Sequence, residues 1–329
     1  MKHIAIYVPP NSFASAIYGF MDIFKAVNLL NKSAGGQSIF HCQTVAIGDT
    51  ASVQSFSNHS ITPDYSLDAM PRPDIWIIPG FFEAMIGVKE LKKTLQHLQP
   101  LVERLKQDSS NGSIICGNCI GNFVIAEAGL LDDKPVQVYW RTEQLFQQLY
   151  PKIERRADVT VMDSDTIITA AGASAYGYLA LHLARRFGGE QLAIETAKYM
   201  LLDINRLTQP SYRSLYPWLE HNDERVRQSQ LTMLDRYADN HNMQDLADEC
   251  QLSQRQYLRR FKRAVGLTPL TQLQQIRLME ACKKLECSDL PTQNIIWKVG
   301  YNDASSFRKL FKKELGTTME QYRQRYKVA

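Results

Sequence analysis

A chain of 329 residues with 44% hydrophobic and 22% charged residues has the balance of a soluble globular protein, long enough for two cores of ordinary size. No apolar run reaches the roughly 18 residues of a membrane-spanning helix, and the composition is too apolar for a disordered chain. The net charge of +4 is unevenly spread: from Asn222 onward 19 Lys+Arg face 13 Asp+Glu, leaving the earlier part slightly acidic. Any polyanionic partner is therefore expected at the C-terminal end.

The opening run MKHIAIYVPP has strand length and stops at Pro9 and Pro10, without the longer apolar core and cleavage site of a secretory signal, so a cytoplasmic location is expected. β-type runs follow at 3–8, 40–47, 74–79, 112–117, 136–140, 159–162 and 166–171, separated by helical patterns at 16–30, 88–107, 120–128, 142–150 and 174–187. Such alternation predicts a mostly parallel sheet covered on both faces by helices. A last helix at 189–202 precedes TQPSYRSLYPWLEHND, whose two prolines and lack of periodicity place a linker at 205–221. The expected division is thus an α/β domain over 1–204 and an all-α domain over 222–329.

The C-terminal part contains an internal repeat. Tyr257, Phe261, Lys262 and Gly266 recur 50 residues later as Phe307, Phe311, Lys312 and Gly316, whereas Leu246 and Ala247 answer Ile295 and Ile296 at an offset of 49. The two turns therefore differ by one residue. Each copy reads as helix, short turn, helix, with Ser253 and Asp303 as N-caps and the two glycines as C-terminal stops. Pro291 suits the start of the first helix in the second copy.

Opposite the aromatic face of each second helix stand Arg255 and Arg259 in one copy and Ser305 and Lys309 in the other. Side chains of these kinds can bond base edges in the major groove. Arg260, Arg263, Arg308, Lys312 and Lys313 are read as phosphate contacts, which add affinity without sequence information. One cationic helix face is usually only a solvated surface; two matched copies with the same caps point to double-stranded DNA.

The stretch IIWKVGYNDASSFRKLFKKELGTTMEQYR resembles the AraC/XylS family over its whole signature of first helix, Gly-aromatic turn, recognition helix and terminal Tyr-Arg. The resemblance extends over about Asp223 to Tyr326, including a connecting helix from Pro269 to Leu285. It implies two recognition helices entering successive major-groove segments. Ile296 stands where the family usually has Ala, and Met319 where it usually has Pro.

In the first domain, GSIICGNCIGNFVIAEAGLL puts Cys119 between a strand and a helix. Such an elbow is expected to expose a thiol at a helix N-terminus, where the dipole lowers its pKa. With the later AAGASAYGYLALHLARRFG, the segment resembles the glutamine-amidotransferase-like superfamily of PfpI proteases and isocyanide hydratases, in the branch fused to AraC-type domains. This implies a flavodoxin-like sandwich, often dimeric. Departures from the enzymatic relatives are specific. Ala16 replaces the acid that would neighbour the cysteine, Val138 and Tyr139 replace Thr-His before Trp140, and Phe81 ends the usual PGG turn begun by Pro79 and Gly80. Asp22 lies nearby in sequence, at a position commonly acidic without being catalytic. No catalysis is therefore expected.

The remaining role for the elbow is to line a ligand pocket at the carboxyl ends of the strands, bordered by Gly19, Phe81, Cys119, Ile120 and Tyr139. Two alternatives are a redox switch using Cys116 and Cys119, although that disulfide would be strained, and residual cysteine hydrolase or hydratase activity. The sequence as a whole reads as a transcription regulator, homodimeric through a flavodoxin-like α/β sandwich and followed by an all-α double helix-turn-helix domain. A small metabolite would shift the placement of the DNA-binding domains, with RNA polymerase a further partner if the protein activates. Neither a cofactor nor a metal is called for.

Overall fold

A computed structural model describes residues 1–48, 52–82, 88–156, 159–203 and 221–327. The chain divides into two compact units, Met1–Gln209 and Pro210–Ala329. The expected linker lies outside the described residues except for His221.

The strands of the first unit are β1 (Lys2–Tyr7), β2 (Phe40–Ala46), β3 (Val53–Gln54), β4 (Ser60–Ile61), β5 (Tyr65–Ser66), β6 (Ile75–Ile78), β7 (Ile114–Asn118), β8 (Val136–Gln137), β9 (Arg155–Arg156), β10 (Val161–Ser164) and β11 (Ile167–Ala170). Its helices are α1 (Ala14–Ser33), α2 (Val88–His97), α3 (Gln99–Ser110), α4 (Gly121–Glu127), α5 (Glu143–Leu149), α6 (Tyr176–Gly188) and α7 (Glu190–Tyr199). Seven strands form one sheet in the order β10-β11-β7-β6-β1-β2-β5. Every pairing in it is parallel except β10 on β11, as the alternation of elements requires.

Successive strand residues point to opposite faces, and the two faces carry separate cores. Ala5, Tyr7, Trp76, Ile78 and Ile115 pack with residues of α2, α3 and α4. Ile4, Ile6, Ile75, Ile77 and Cys116 pack with residues of α1 and α6. Both faces being buried explains why the central strands read as continuous apolar runs. Fully burying side chains such as Phe20, Phe24 and Phe123 stabilises by about 1.5–3 kcal/mol each relative to exposure.

The helix expected over 88–107 is two helices, because Pro100 falls in the first turn of α3. Proline lacks the N–H that would continue the earlier ladder, and its ring crowds the carbonyl four residues before it. The strand expected over 136–140 ends at Gln137 and gives way to a 3-10 turn at Trp140–Thr142.

The described residues of the second unit are helical throughout their regular structure: α8 (Glu224–Asp235), α9 (Met243–Glu249), α10 (Gln254–Val265), α11 (Pro269–Cys287), α12 (Thr292–Lys298), α13 (Ala304–Leu315) and α14 (Met319–Tyr326). One core joins them, with Leu246, Ala247, Tyr257 and Phe261 from one copy of the repeat and Ile295, Ile296, Phe307 and Phe311 from the other. No helix among the described residues is long and apolar enough to cross a membrane.

Candidate DNA interface and ligand elbow

Helices α9 and α10 form one helix-turn-helix, and α12 and α13 the other. The Ser253 side chain accepts from the Gln256 N–H, whose own side chain returns the bond in a capping box; Asp303 caps α13 through the Ser305 N–H. Both helices end on glycine in left-handed conformation, Gly266 and Gly316. The extra residue of the second copy falls in the turn. Gln251 (φ 53°) and Gly300 (φ 82°) occupy equivalent left-handed positions, after which the first copy needs two residues to reach its cap and the second needs three. At Gly300 a Cβ would stand 2.3 Å from the Ala238 carbonyl oxygen, so space as well as φ demands glycine.

The symmetry continues past the glycines. Thr268 caps α11 ahead of Pro269, and Thr318 caps α14 ahead of Met319. The latter helix thus starts from its cap without the proline, and Met319 is buried at 1% exposure. Ile296 is fully buried in the same core.

Tyr257, Phe261, Phe307 and Phe311 are completely buried. Arg255, Arg259, Arg263, Ser305, Arg308, Lys309, Lys312 and Lys313 are exposed on the same two helices. Arg308 donates to the Gln293 side chain at 3.1 Å, which pins its guanidinium over α12. Arg260 differs from the expectation of a phosphate contact, since it is half-buried and ion-paired with Asp223, the N-cap of α8. Burial opposes ionisation of Asp223, but the hydrogen bonds from Arg260 and the Val226 N–H hold it below the usual carboxylate range. Arg260 thereby ties α10 to α8. Nothing in the sequence pattern distinguished it from its cationic neighbours.

The elbow lies between β7 and α4, with Cys119 at φ 58°, a left-handed conformation that non-glycine residues adopt rarely and at a cost. The Cys119 N–H donates to the Ala170 carbonyl at 2.8 Å. Asn122 straps the elbow by donating to the Gln137 and Ala170 carbonyls at 2.6 and 3.1 Å. A Cβ on Gly80 would come within 3.1 Å of the Cys119 Cβ, so the turn after β6 presses directly on the cysteine.

Contrary to expectation, the thiol is not exposed. Cys119 is 5% accessible, and burial pushes its thiol up to about 11, against the opposing pull of the Gly172 and Ile120 N–H groups that point at the sulfur. Ala16 is buried, while Asp22 is exposed. Burial, together with the neighbouring Cys119, raises the Tyr139 phenol, with Arg141 opposing.

Cys116 packs in the core on the α1 and α6 face, and Cys119 in the core on the other. Both are free thiols, and this geometry does not support the Cys116–Cys119 disulfide. Of the five candidate pocket residues, Phe81, Cys119, Ile120 and Tyr139 gather on one face of the sheet. Gly19 lies elsewhere, on α1, where the Tyr176 ring covers it. Phe81 and Ile120 are 1% exposed and act as core.

Two buried polar groups were not singled out from sequence. The amide of Asn118, next to Cys119, is 1% exposed with neither its nitrogen nor its oxygen hydrogen-bonded, and the Ser12 hydroxyl, fully buried, also lacks a partner. Ser12 bridges to Phe81, which brings it to the turn pressing on the elbow. Strand alternation places Asn118 with Cys116, on the α1 side.

Residues 20–186 match the DJ-1/PfpI family, and residues 246–325 match a helix-turn-helix domain family. The HTH-type transcriptional regulator CdhR of Pseudomonas aeruginosa is 24% identical over 94% of the chain and 88% of that protein. GbdR, a regulator of the same type and organism, is 23% identical over 96% of the chain and 86% of its own length. Among solved structures, Drosophila melanogaster DJ-1beta aligns with a TM-score of 0.50 at 20% identity, covering 61% of the chain and 98% of that structure, which supports the fold of the first unit. The chain belongs to the DJ-1/PfpI family through its first unit and, with an AraC-type helix-turn-helix domain in its second, is a DNA-binding transcriptional regulator of the AraC family.

Proposed function

We propose that the protein is an effector-controlled regulator whose first unit binds a small metabolite at the Cys119 elbow and performs no catalysis there. The observation that carries this reading is the pair of unpartnered buried groups, Asn118 and Ser12, beside an elbow with a protonated thiol. Buried polar atoms are nearly always hydrogen-bonded, and a ligand offering both a donor and an acceptor would satisfy the Asn118 amide. On this reading the protein is a cytoplasmic homodimer joined through the α/β unit, and any contact with RNA polymerase follows from binding as an activator.

DNA reading is assigned to Arg255 and Arg259 on α10 and to Ser305 and Lys309 on α13, with Arg263, Arg308, Lys312 and Lys313 on phosphates. Arg260 is left out of that set because Asp223 holds it.

The effector reading is tested by a thermal-shift screen of amino acids and amines on the full chain, followed by operator binding with each stabilising compound. A true effector should change operator occupancy, and Asn118→Leu should abolish both responses. Compounds that still act fully on Asn118→Leu would remove the elbow from the mechanism. Turnover of any screened compound that disappears in Cys119→Ala would restore the enzymatic alternative.

A further inference from the structure

A cavity lies apart from the elbow. It has a volume of about 500 Å³ and sits where β1 and β2 end, lined by Tyr7, Val8, Pro9, Ala46, Ile47 and Leu98, with Val53, Gln54, Thr94 and His97 at its sides. It contains none of the residues gathered around Cys119. Its size is within the range of about 300–1,000 Å³ typical of small-molecule sites, and its position at strand carboxyl ends is where parallel sheets commonly bind ligands.

The lining specifies a chemistry. Among the described residues that line the cavity none is Lys, Arg, Asp or Glu, and Pro9 and Pro10 contribute no backbone N–H, so these walls hold no carboxylate, ammonium or guanidinium to pair with an ionic ligand. Burying an unpaired charge there would be strongly unfavourable. One polar group, however, is set into the apolar floor. Tyr7 is 2% exposed, burial raises its phenol, and its hydroxyl makes no hydrogen bond among the described residues. A buried tyrosine hydroxyl usually finds a partner, and here the cavity is the space left for one. At the rim the Nδ1 of His97 is 2.8 Å from the Lys93 carbonyl. That oxygen can only accept, so Nδ1 donates and the ring keeps Nε2 for another contact.

We propose that this cavity is a binding site for a neutral, mainly apolar small molecule carrying one hydrogen-bonding group, which pairs with the Tyr7 hydroxyl. Such a molecule would bridge β1, β2 and α2. It goes beyond the elbow reading, because the two sites share no proposed contact and either can fail alone.

Benzyl alcohol and benzoate serve as probes, being of similar ring size but differing in charge. Titrated into the full-length protein with labelled methyl groups, benzyl alcohol should shift the resonances of Ile47, Val53 and Leu98 and saturate, whereas benzoate at equal concentration should not. Tyr7→Phe should weaken benzyl alcohol binding about five- to tenfold, the loss of one hydrogen bond. Thr94→Trp, which fills the cavity from α2, should abolish it and serves where Tyr7→Phe fails to fold. Equal binding of both probes, shifts confined to residues around Cys119, or undiminished binding to Thr94→Trp would each overturn the proposal.

Discussion

With its thiol pushed up to about 11, Cys119 carries thiolate in on the order of one chain in ten thousand at pH 7. Since the thiolate is the nucleophile, alkylation of the native protein by iodoacetamide should leave Cys119 essentially unmodified at pH 7, while exposed Cys287 reacts. Mass mapping of the modified cysteines checks this, and a Cys119 that reacts as fast as Cys287 would contradict the burial described. A stability consequence follows with a definite sign. The folded value lies above the ordinary 9.0, so the contribution of the protonated thiol is fully present below about pH 9 and is lost as pH rises to about 11. The loss amounts to roughly 2–3 kcal/mol. Denaturation of the parent should therefore steepen in this window more than that of Cys119→Ala, whatever the offset between the two curves at neutral pH.

At the scale of elements, the turns and caps hold α10 and α13 in place. Gly300→Ala forces a Cβ against the Ala238 carbonyl at an unfavourable φ, which should destabilise the second unit by about 1–3 kcal/mol and lower operator affinity in step; gel-shift titration and thermal melting on one preparation check it. Gln251 already tolerates the equivalent left-handed position, so Gln251→Gly should be neutral or mildly stabilising. The tie between α8 and α10 adds a pH dependence. Asp223 is held below the ordinary carboxylate range, so its contribution is present above that range and is lost as pH falls through the lowered value; Asp223→Asn should show less acid sensitivity. Most of this architecture was legible in the sequence, because Ser253, Asp303, Gly266 and Gly316 signal their own backbone geometry locally. The break before α3 was missed, although Pro100 could have signalled it. What escaped were features fixed by distant partners: the short strand β9, whose Arg155 pairs with Val136 of β8, the capture of Arg260 by Asp223, and the orphaned amide of Asn118. A periodicity argument weighs a side chain against its near neighbours, whereas Arg260 is decided by a partner 37 residues away.

For the whole molecule, two helix-turn-helix units in one core mean that sequence reading should separate into two blocks of bases. Arg259→Ala removes a guanidinium capable of bidentate pairing with guanine, and should relax preference within one block at a cost of about 1–3 kcal/mol per site. Lys309→Ala should relax a different block, because α13 is a separate helix carrying its own exposed face. Lys312→Ala, by contrast, should weaken every site alike and reduce the slope of log affinity against log salt by about 1, as expected for a single lost phosphate contact. The three variants are best compared by selecting bound sequences from a randomised operator library at two salt concentrations. If Arg259→Ala and Lys309→Ala relax the same positions, the two helices do not read DNA independently. If neither changes preference while both lose affinity on random DNA, the exposed cations serve the backbone and specificity must come from the deformability of the operator. Distinct blocks in the two variants, with a uniform loss in the third, would establish that each copy of the repeat reads its own half of the site.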